Sequence, residues 1–109
     1  MSKIAITVGS ANLDAEIEPR FGRSALLILV DPDTMAWEPL PNPEWDRLGL
    51  AGVRIVDALK DQNVTDVVSG QFGPKATDAL SAAEISIHRF ASGATAREAL
   101  ESLKAQAVT

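Results

Sequence analysis

The chain contains no cysteine and a single histidine among its 109 residues. The absence of cysteine excludes a disulfide framework, a thiolate metal site and a cysteine nucleophile. The histidine, His88, falls within a predicted strand, and we interpret it as a structural residue rather than a metal ligand. The sequence therefore offers few side chains that bind a transition metal directly.

Long apolar runs and an excess of basic residues are also missing. The longest apolar run, residues 25–30, is too short to cross a bilayer, and residues 1–10 lack the pattern of a secretory signal. We therefore expect a cytoplasmic protein that does not bind membranes. The formal net charge of −5 predicts repulsion from nucleic acids unless the basic residues are clustered.

The length and a hydrophobic content of 46% indicate one globular domain that covers residues 1–109. Alternating and continuous apolar residues predict strands at residues 3–8 and 24–31. Turn residues follow at 31–34, and residues 35–40 would return as the second arm of a hairpin. Three prolines predict that residues 39–45 form a long loop, because proline is excluded from helix interiors and central strands.

The second half of the chain predicts alternating helices and strands. Apolar residues at helical spacing indicate a helix around residues 53–60, and a second helix begins at Pro74. Thr95 and Glu98 form a predicted capping box for the last helix. Strands at 65–69 and 85–90 would be parallel, since such connections are right-handed crossovers. The prediction is an α/β fold with a mixed five-stranded sheet, three helices on its faces and the first strand near the centre.

Three loops would leave the carboxyl ends of the parallel strands, where open α/β sheets bind ligands. They lie at residues 9–12, 70–74 and 91–94, and each contains small residues. Glycine lets backbone N–H groups approach a ligand, and the last two loops lead into helix starts that favour anions. The alternative is that these loops are tight turns with no further role.

Two arginines flank Phe21 and Gly22 just before the second strand. Arginine presents a rigid fork of donors that suits oxyanions and similar acceptors. Half of the ten basic residues could gather at this end as a positive patch for a small anion: Arg20, Arg23, Arg47, Arg54 and Lys75. The alternative is a solvated approach to the strand, with Phe21 as a core plug.

Five segments together resemble the dinitrogenase iron–molybdenum cofactor biosynthesis family. They are residues 3–8 (Lys-Ile-Ala-Ile-Thr-Val), 19–23 (Pro-Arg-Phe-Gly-Arg), 50–52 (Leu-Ala-Gly), 67–76 (Val-Val-Ser-Gly-Gln-Phe-Gly-Pro-Lys-Ala) and 91–100 (Ala-Ser-Gly-Ala-Thr-Ala-Arg-Glu-Ala-Leu). The resemblance covers nearly the whole chain. It implies a ribonuclease-H-like fold and the binding or carrying of metal–sulfur clusters. One branch, the orange proteins, is associated with a molybdenum–copper sulfide cluster held without covalent ligands.

The chain departs from this family at its histidines. Many members have His-Phe-Gly where this chain has Arg-Phe-Gly at residues 20–22. Many also have a second histidine at the position where this chain has Asp46 and Arg47. Because these histidines are missing, our hypothesis is a preassembled molybdenum-containing sulfide cluster, of Mo–Cu or Fe–Mo type, held by arginine and backbone N–H donors. We predict no catalytic residue and no protein metal ligand. The predicted cofactor-binding residues are Ser10, Asn12, Arg20, Phe21, Gly22, Arg23, Gly49, Gly52, Gly70, Gly73, Lys75, Ser92 and Gly93.

Two other functions compete with cluster binding. An interaction module could dock an ATPase or a cluster-assembly protein through Trp37, Trp45 and the nearby prolines. We favour the alternative that Trp37 covers the hairpin face, and for Trp45 we leave open whether it caps the core. A metal-dependent nuclease would need converging carboxylates. Asp14, Glu16 and Glu18 are candidates, but they lie outside the predicted central strands, and we interpret them as a solvated acidic stretch. We expect a protein that is not an enzyme.

Overall fold

The computed structural model describes residues 3–21, 24–42, 51–91 and 93–108, and the side chains of 51–54 and 106–108 lie outside that description. The elements follow the predicted order: β1 Lys3–Thr7, β2 Leu26–Val30, β3 Trp37–Pro41, α1 Ala51–Asp61, β4 Val64–Ser69, α2 Pro74–Ala82, β5 Ser86–Arg89 and α3 Ala96–Val108. None of the helices described here is long and apolar enough to span a membrane.

The five strands form one mixed sheet in the order β3-β2-β1-β4-β5. The hairpin strands β2 and β3 pair antiparallel, and β1 pairs antiparallel with β2. On its other side β1 pairs parallel with β4, which pairs parallel with β5. The predicted α/β class, the mixed sheet and the central position of the first strand are confirmed. The carboxyl ends of β1, β4 and β5 lie at the same edge, which we call the carboxyl edge.

Each face of the sheet has its own hydrophobic core, because successive residues of a strand point to opposite sides. One face packs against α1 and α2, and β1 contributes Ala5 to it. The other packs against α3 and the loop after β1, and β1 contributes Ile4 and Ile6. The residues at the strand ends therefore lie on a rigid support, which fixes the loops of the carboxyl edge.

The prediction of a loop from residue 39 was wrong, because Pro39 and Pro41 lie within β3. Within the described part of the chain, this strand is at the edge of the sheet and pairs only with β2. The ladder bond from Asn42 N–H to Ala25 O, with the register of the hairpin, places both prolines where a backbone N–H would face the open edge. Proline therefore costs this strand no ladder bond.

The hairpin turn is longer than predicted. Met35 has a φ of 64°, so β3 begins at Trp37 rather than at residue 35. Trp37 is 37% exposed at the start of this edge strand, so its ring covers the hairpin face incompletely.

Candidate functional site

A short segment after β1 returns to the end of β4 and lies against it. We call residues 18–21 the strap. Glu18 N–H donates to the Thr7 carbonyl oxygen at 2.9 Å, and Phe21 N–H donates to the Gln71 carbonyl oxygen at 2.9 Å. Arg20 and Gln71 form an isolated parallel bridge. These bonds hold the backbone of Arg20 beside the loop that follows β4.

The close approach of the strap depends on Gly70. A Cβ atom at Gly70 would lie 2.8 Å from both the Cα and the carbonyl oxygen of Pro19. Because both are backbone atoms, any larger residue at position 70 would displace the strap. Gly70 N–H also donates to the Glu18 carbonyl oxygen at 3.2 Å. This glycine therefore seats the strap, and its N–H faces the strap rather than a ligand.

The loop after β4 ends at the start of α2, where backbone donors are available. Gly73 is the N-cap residue with φ −70° and ψ 163°, no side chain caps this helix, and Pro74 occupies its first turn as predicted. Among the described residues, none accepts a hydrogen bond from the N–H groups of Lys75 and Ala76. These two groups and the positive end of the helix dipole favour an anion at this position.

The start of α3 is different, and the expectation that it favours an anion was wrong. The capping box is confirmed, since Thr95 N–H donates to Glu98 Oε1 at 3.0 Å and Glu98 N–H donates to Thr95 Oγ1 at 3.2 Å. The N–H groups of Ala96 and Arg97 donate to carbonyl oxygens of the loop after β1, at 3.0 and 2.8 Å. All four donors of this first turn are therefore already bonded within the protein.

An aromatic pair links the strap to the loop after β4. Phe21 is 1% exposed in the core under α1 and α2, and its ring stacks on Phe72 with 5.1 Å between centroids. The guanidinium carbon of Arg89 lies 5.7 Å from the Phe72 centroid, which is a cation–π contact. Sequence reasoning missed Arg89, although it is the last residue of β5 and hence lies at the carboxyl edge.

Three exposed cations lie on the elements that border one loop. Arg20 lies on the strap, Lys75 in the first turn of α2 and Arg89 at the end of β5. The loop between them, residues 70–73, leads to the free N–H groups of α2. The carboxyl edge thus combines positive charge with backbone donors, an arrangement that suits a compact anion.

Comparison with known proteins identifies the family. The sequence model described as dinitrogenase iron–molybdenum cofactor matches residues 2–106. The chain belongs to this family. The solved apo form of the orange protein from Desulfovibrio gigas is 34% identical, with a TM-score of 0.91 over 97% of this chain and 89% of that chain.

A second solved structure is also similar to this chain. It is a putative NifB protein from Thermotoga, assigned to the DUF35 family, and it is 27% identical with a TM-score of 0.82 over 96% of this chain and 89% of that chain. Among curated proteins, none matches the chain. The family to which the chain belongs is described by the iron–molybdenum cofactor. The fold of the chain is similar to those of the two solved structures.

The remaining predicted residues of this family member lie in the loops after β1 and β5, in α1, or outside the described part of the chain. Ser10 and Asn12 are exposed and bond to each other, from Nδ2 to Oγ at 3.2 Å, in the turn after β1. Gly93 has a φ of 95°, so glycine there is explained by the turn. Gly52 lies in α1. Several predicted residues lie outside the described part of the chain: Gly22, Arg23, Gly49, Ser92, Arg47 and Trp45, together with the side chain of Arg54.

Metal-binding side chains are not gathered in the part of the chain that the structure describes. His88 Nε2 lies 2.9 Å from Asp66 Oδ1, across β4 and β5, which agrees with a structural role for this histidine. Among the described residues, no group of three or more histidine and acidic side chains could hold a metal ion. The described carboxyl edge offers cations and N–H donors instead.

The acidic stretch after β1 does not converge into a nuclease-like centre. Asp14 Oδ1 accepts a hydrogen bond from Arg97 Nε at 2.8 Å. This hydrogen bond, and then the charge of Arg97, lower the pKa of Asp14. The carboxylate is thus engaged with a guanidinium of α3, which agrees with the interpretation of this stretch as solvated surface.

Proposed function

We propose that this chain is a non-enzymatic carrier that binds a molybdenum-containing metal–sulfide cluster at its carboxyl edge, within a single domain. Membership of the iron–molybdenum cofactor family supports a role connected with such a cofactor. The observation that carries the proposal is the uncapped start of α2, which lies beside the strap that bears Arg20. An anion placed there would meet two N–H groups that have no acceptor among the described residues, on an edge that carries three exposed cations.

The chemistry of the available donors supports one kind of cluster over another. The chain has no cysteine, and its one histidine is paired with Asp66. A cluster that needs thiolate or imidazole ligands from this chain would find neither at the described carboxyl edge. A sulfide-capped anion brings its own metal ligands and needs only charge and N–H donors. The residues present therefore fit a preassembled Mo–Cu or Fe–Mo sulfide cluster held without covalent bonds.

A titration tests this function directly. Purified protein is mixed with tetrathiomolybdate, alone and with copper(I), and is followed by visible absorption and by metal analysis after desalting. We expect the wild type to retain molybdenum and the Arg20→Ala, Arg23→Ala variant to lose it while keeping its fold by circular dichroism. Lys60→Ala is the control, because Lys60 is exposed in the last turn of α1, away from the carboxyl edge. Equal retention by the double variant and the wild type contradicts the proposal.

The exposure of Trp37 favours a second candidate function. This residue is 37% exposed on the edge strand, and tryptophan is enriched at protein interfaces. The chain could dock a cluster-assembly protein or an ATPase, with or without a cluster of its own. If the protein takes up no molybdenum, copper or iron on anaerobic reconstitution, the result would favour a docking module that binds no cluster. A reduced affinity of Trp37→Ala for a cluster-assembly ATPase, measured with both purified proteins, would support it.

A further inference from the structure

Two buried hydroxyl groups lie where the strap crosses the ends of β1 and β4. Thr7 and Ser69 are both 0% exposed, and their oxygens are 2.9 Å apart. Each hydroxyl oxygen also lies 3.2 Å from the carbonyl oxygen of Glu18, the first residue of the strap. The same carbonyl oxygen accepts the Gly70 N–H. One strap carbonyl thus lies within hydrogen-bond distance of two hydroxyls and one N–H group at the ends of β1 and β4.

The proton count of this cluster can be satisfied completely. Each hydroxyl has one proton to donate. Either hydroxyl can donate to the other, and the second then donates to the Glu18 carbonyl, so that both protons are used. Without the strap, the second hydroxyl would lose this acceptor, and the Val68 carbonyl oxygen, 3.5 Å from Thr7 Oγ1, is a more distant replacement, which is unfavourable. The hydroxyls therefore favour the seated strap over a displaced one.

The position of these hydroxyls in the sheet indicates that they act on the strap and not on strand packing. Ala5 and Val67 precede Thr7 and Ser69 by two positions on the same face, and both are fully buried apolar residues. The hydroxyls of Thr7 and Ser69 occur at the ends of their strands, where the Glu18 carbonyl oxygen of the strap can accept a hydrogen bond from them.

We infer that Thr7 and Ser69 are positioning residues that hold the strap, and through it Arg20, beside the start of α2. This inference rests on the proposed cluster binding, and it explains how Arg20 is held in position for that binding. The link runs from the fixed Glu18 carbonyl through Pro19, whose ring restricts φ, to Arg20 and its bridge with Gln71. Neither hydroxyl needs to contact the cluster.

Hydrogen exchange tests the first half of this inference without any ligand. The amides of Phe21 and Gly70 report on the seated strap, because both donate across it. We expect Thr7→Val and Ser69→Ala to speed their exchange about two- to tenfold, the effect of one lost hydrogen bond. Thr7→Ser keeps the hydroxyl and should exchange as the wild type does. Ile85→Val, a buried truncation just before β5 begins, controls for general destabilisation. Unchanged exchange in both hydroxyl variants overturns the inference.

A double-mutant cycle tests the second half. The apparent Kd for tetrathiomolybdate with copper(I) is measured for the wild type, Thr7→Val, Arg20→Ala and the double variant. If Thr7 acts through Arg20, Thr7→Val weakens binding about two- to tenfold in the wild type and adds nothing once Arg20 is removed. Additive losses, or no loss in the wild-type background, overturn the positioning role. If the wild type binds no cluster, the proposed function fails, and the exchange rates alone decide whether the hydroxyls hold the strap.

Discussion

The guanidinium of Arg89 lies over the ring of Phe72, with 5.7 Å between Cζ and the ring centroid. Phe72 in turn stacks on the buried ring of Phe21, whose neighbour Arg20 bridges to Gln71. Two arginines from distant parts of the sequence therefore flank one aromatic pair. Each is fixed by the fold beside the loop that leads to α2.

Arg89→Ala should reduce cluster retention after desalting, because it removes an oriented cation from the carboxyl edge. Arg89→Lys should restore part of the retention, since lysine keeps the charge but lacks the planar fork of donors. Visible absorption and molybdenum analysis give the measurement. Lys104→Ala, an exposed change on α3, is the control. Retention that is unaffected in Arg89→Ala would show that this residue does not contribute to binding.

Gly70→Ala should destabilise the protein by about 1 to 3 kcal/mol, because the new methyl group would overlap the backbone of Pro19. Gly73→Ala is the matched control in the same loop, since a Cβ there meets no atom within 4 Å. The control should change the free energy of unfolding by about 0.5 kcal/mol or less. Urea denaturation measures both. Equal stability of the two variants would mean that the strap adjusts without cost.

Gly73→Asp should affect stability and cluster binding in opposite directions. An aspartate at this N-cap would accept hydrogen bonds from the first turn of α2 and favour the helix dipole, raising stability by a few tenths to about 1 kcal/mol. The same carboxylate would occupy the free N–H groups and repel an anion, so cluster retention should fall. Gly73→Ala controls for the added side chain. A more stable variant with undiminished retention would exclude the start of α2 from the site.

Asp14→Asn should reduce stability in a pH-dependent way. The pKa of Asp14 is lowered from its ordinary value of 3.8, chiefly by the hydrogen bond from Arg97, so the ionised form is favoured in the folded state. The contribution of this ion pair is present above the ordinary pKa and is lost as the pH falls through the lower, folded value. The unfolding free energies of wild type and variant should converge in acid. Because both groups are exposed, added salt should also weaken the difference.

The pKa of Asp14 can be measured independently by following its carboxyl carbon in an NMR titration. The midpoint should lie below 3.8 in the wild type and return toward it in Arg97→Ala. A midpoint that does not change in this variant would mean that the contact between Asp14 Oδ1 and Arg97 Nε does not persist in solution.

Local patterns predicted most of the secondary structure. The helix starts at Pro74 and at the Thr95–Glu98 capping box depend on neighbouring residues, and the structure has both. The loop predicted from residue 39 failed because the effect of a proline depends on which side of a strand its missing N–H would face. That side is set by the pairing with β2, and the sequence does not show it.

By itself the sequence determined the order of the elements, the α/β class and the absence of thiolate ligands, since these follow from hydrophobic periodicity, turn residues and composition. Tertiary structure alone decided which donors remain free. The first N–H groups of α3 bond to the loop after β1, whereas no described residue accepts from Lys75 and Ala76 at the start of α2. The position of Arg89 over Phe72 was likewise decided by the fold. The physical reason is that such contacts join segments far apart in the chain, and their geometry exists only after the sheet has brought those segments together.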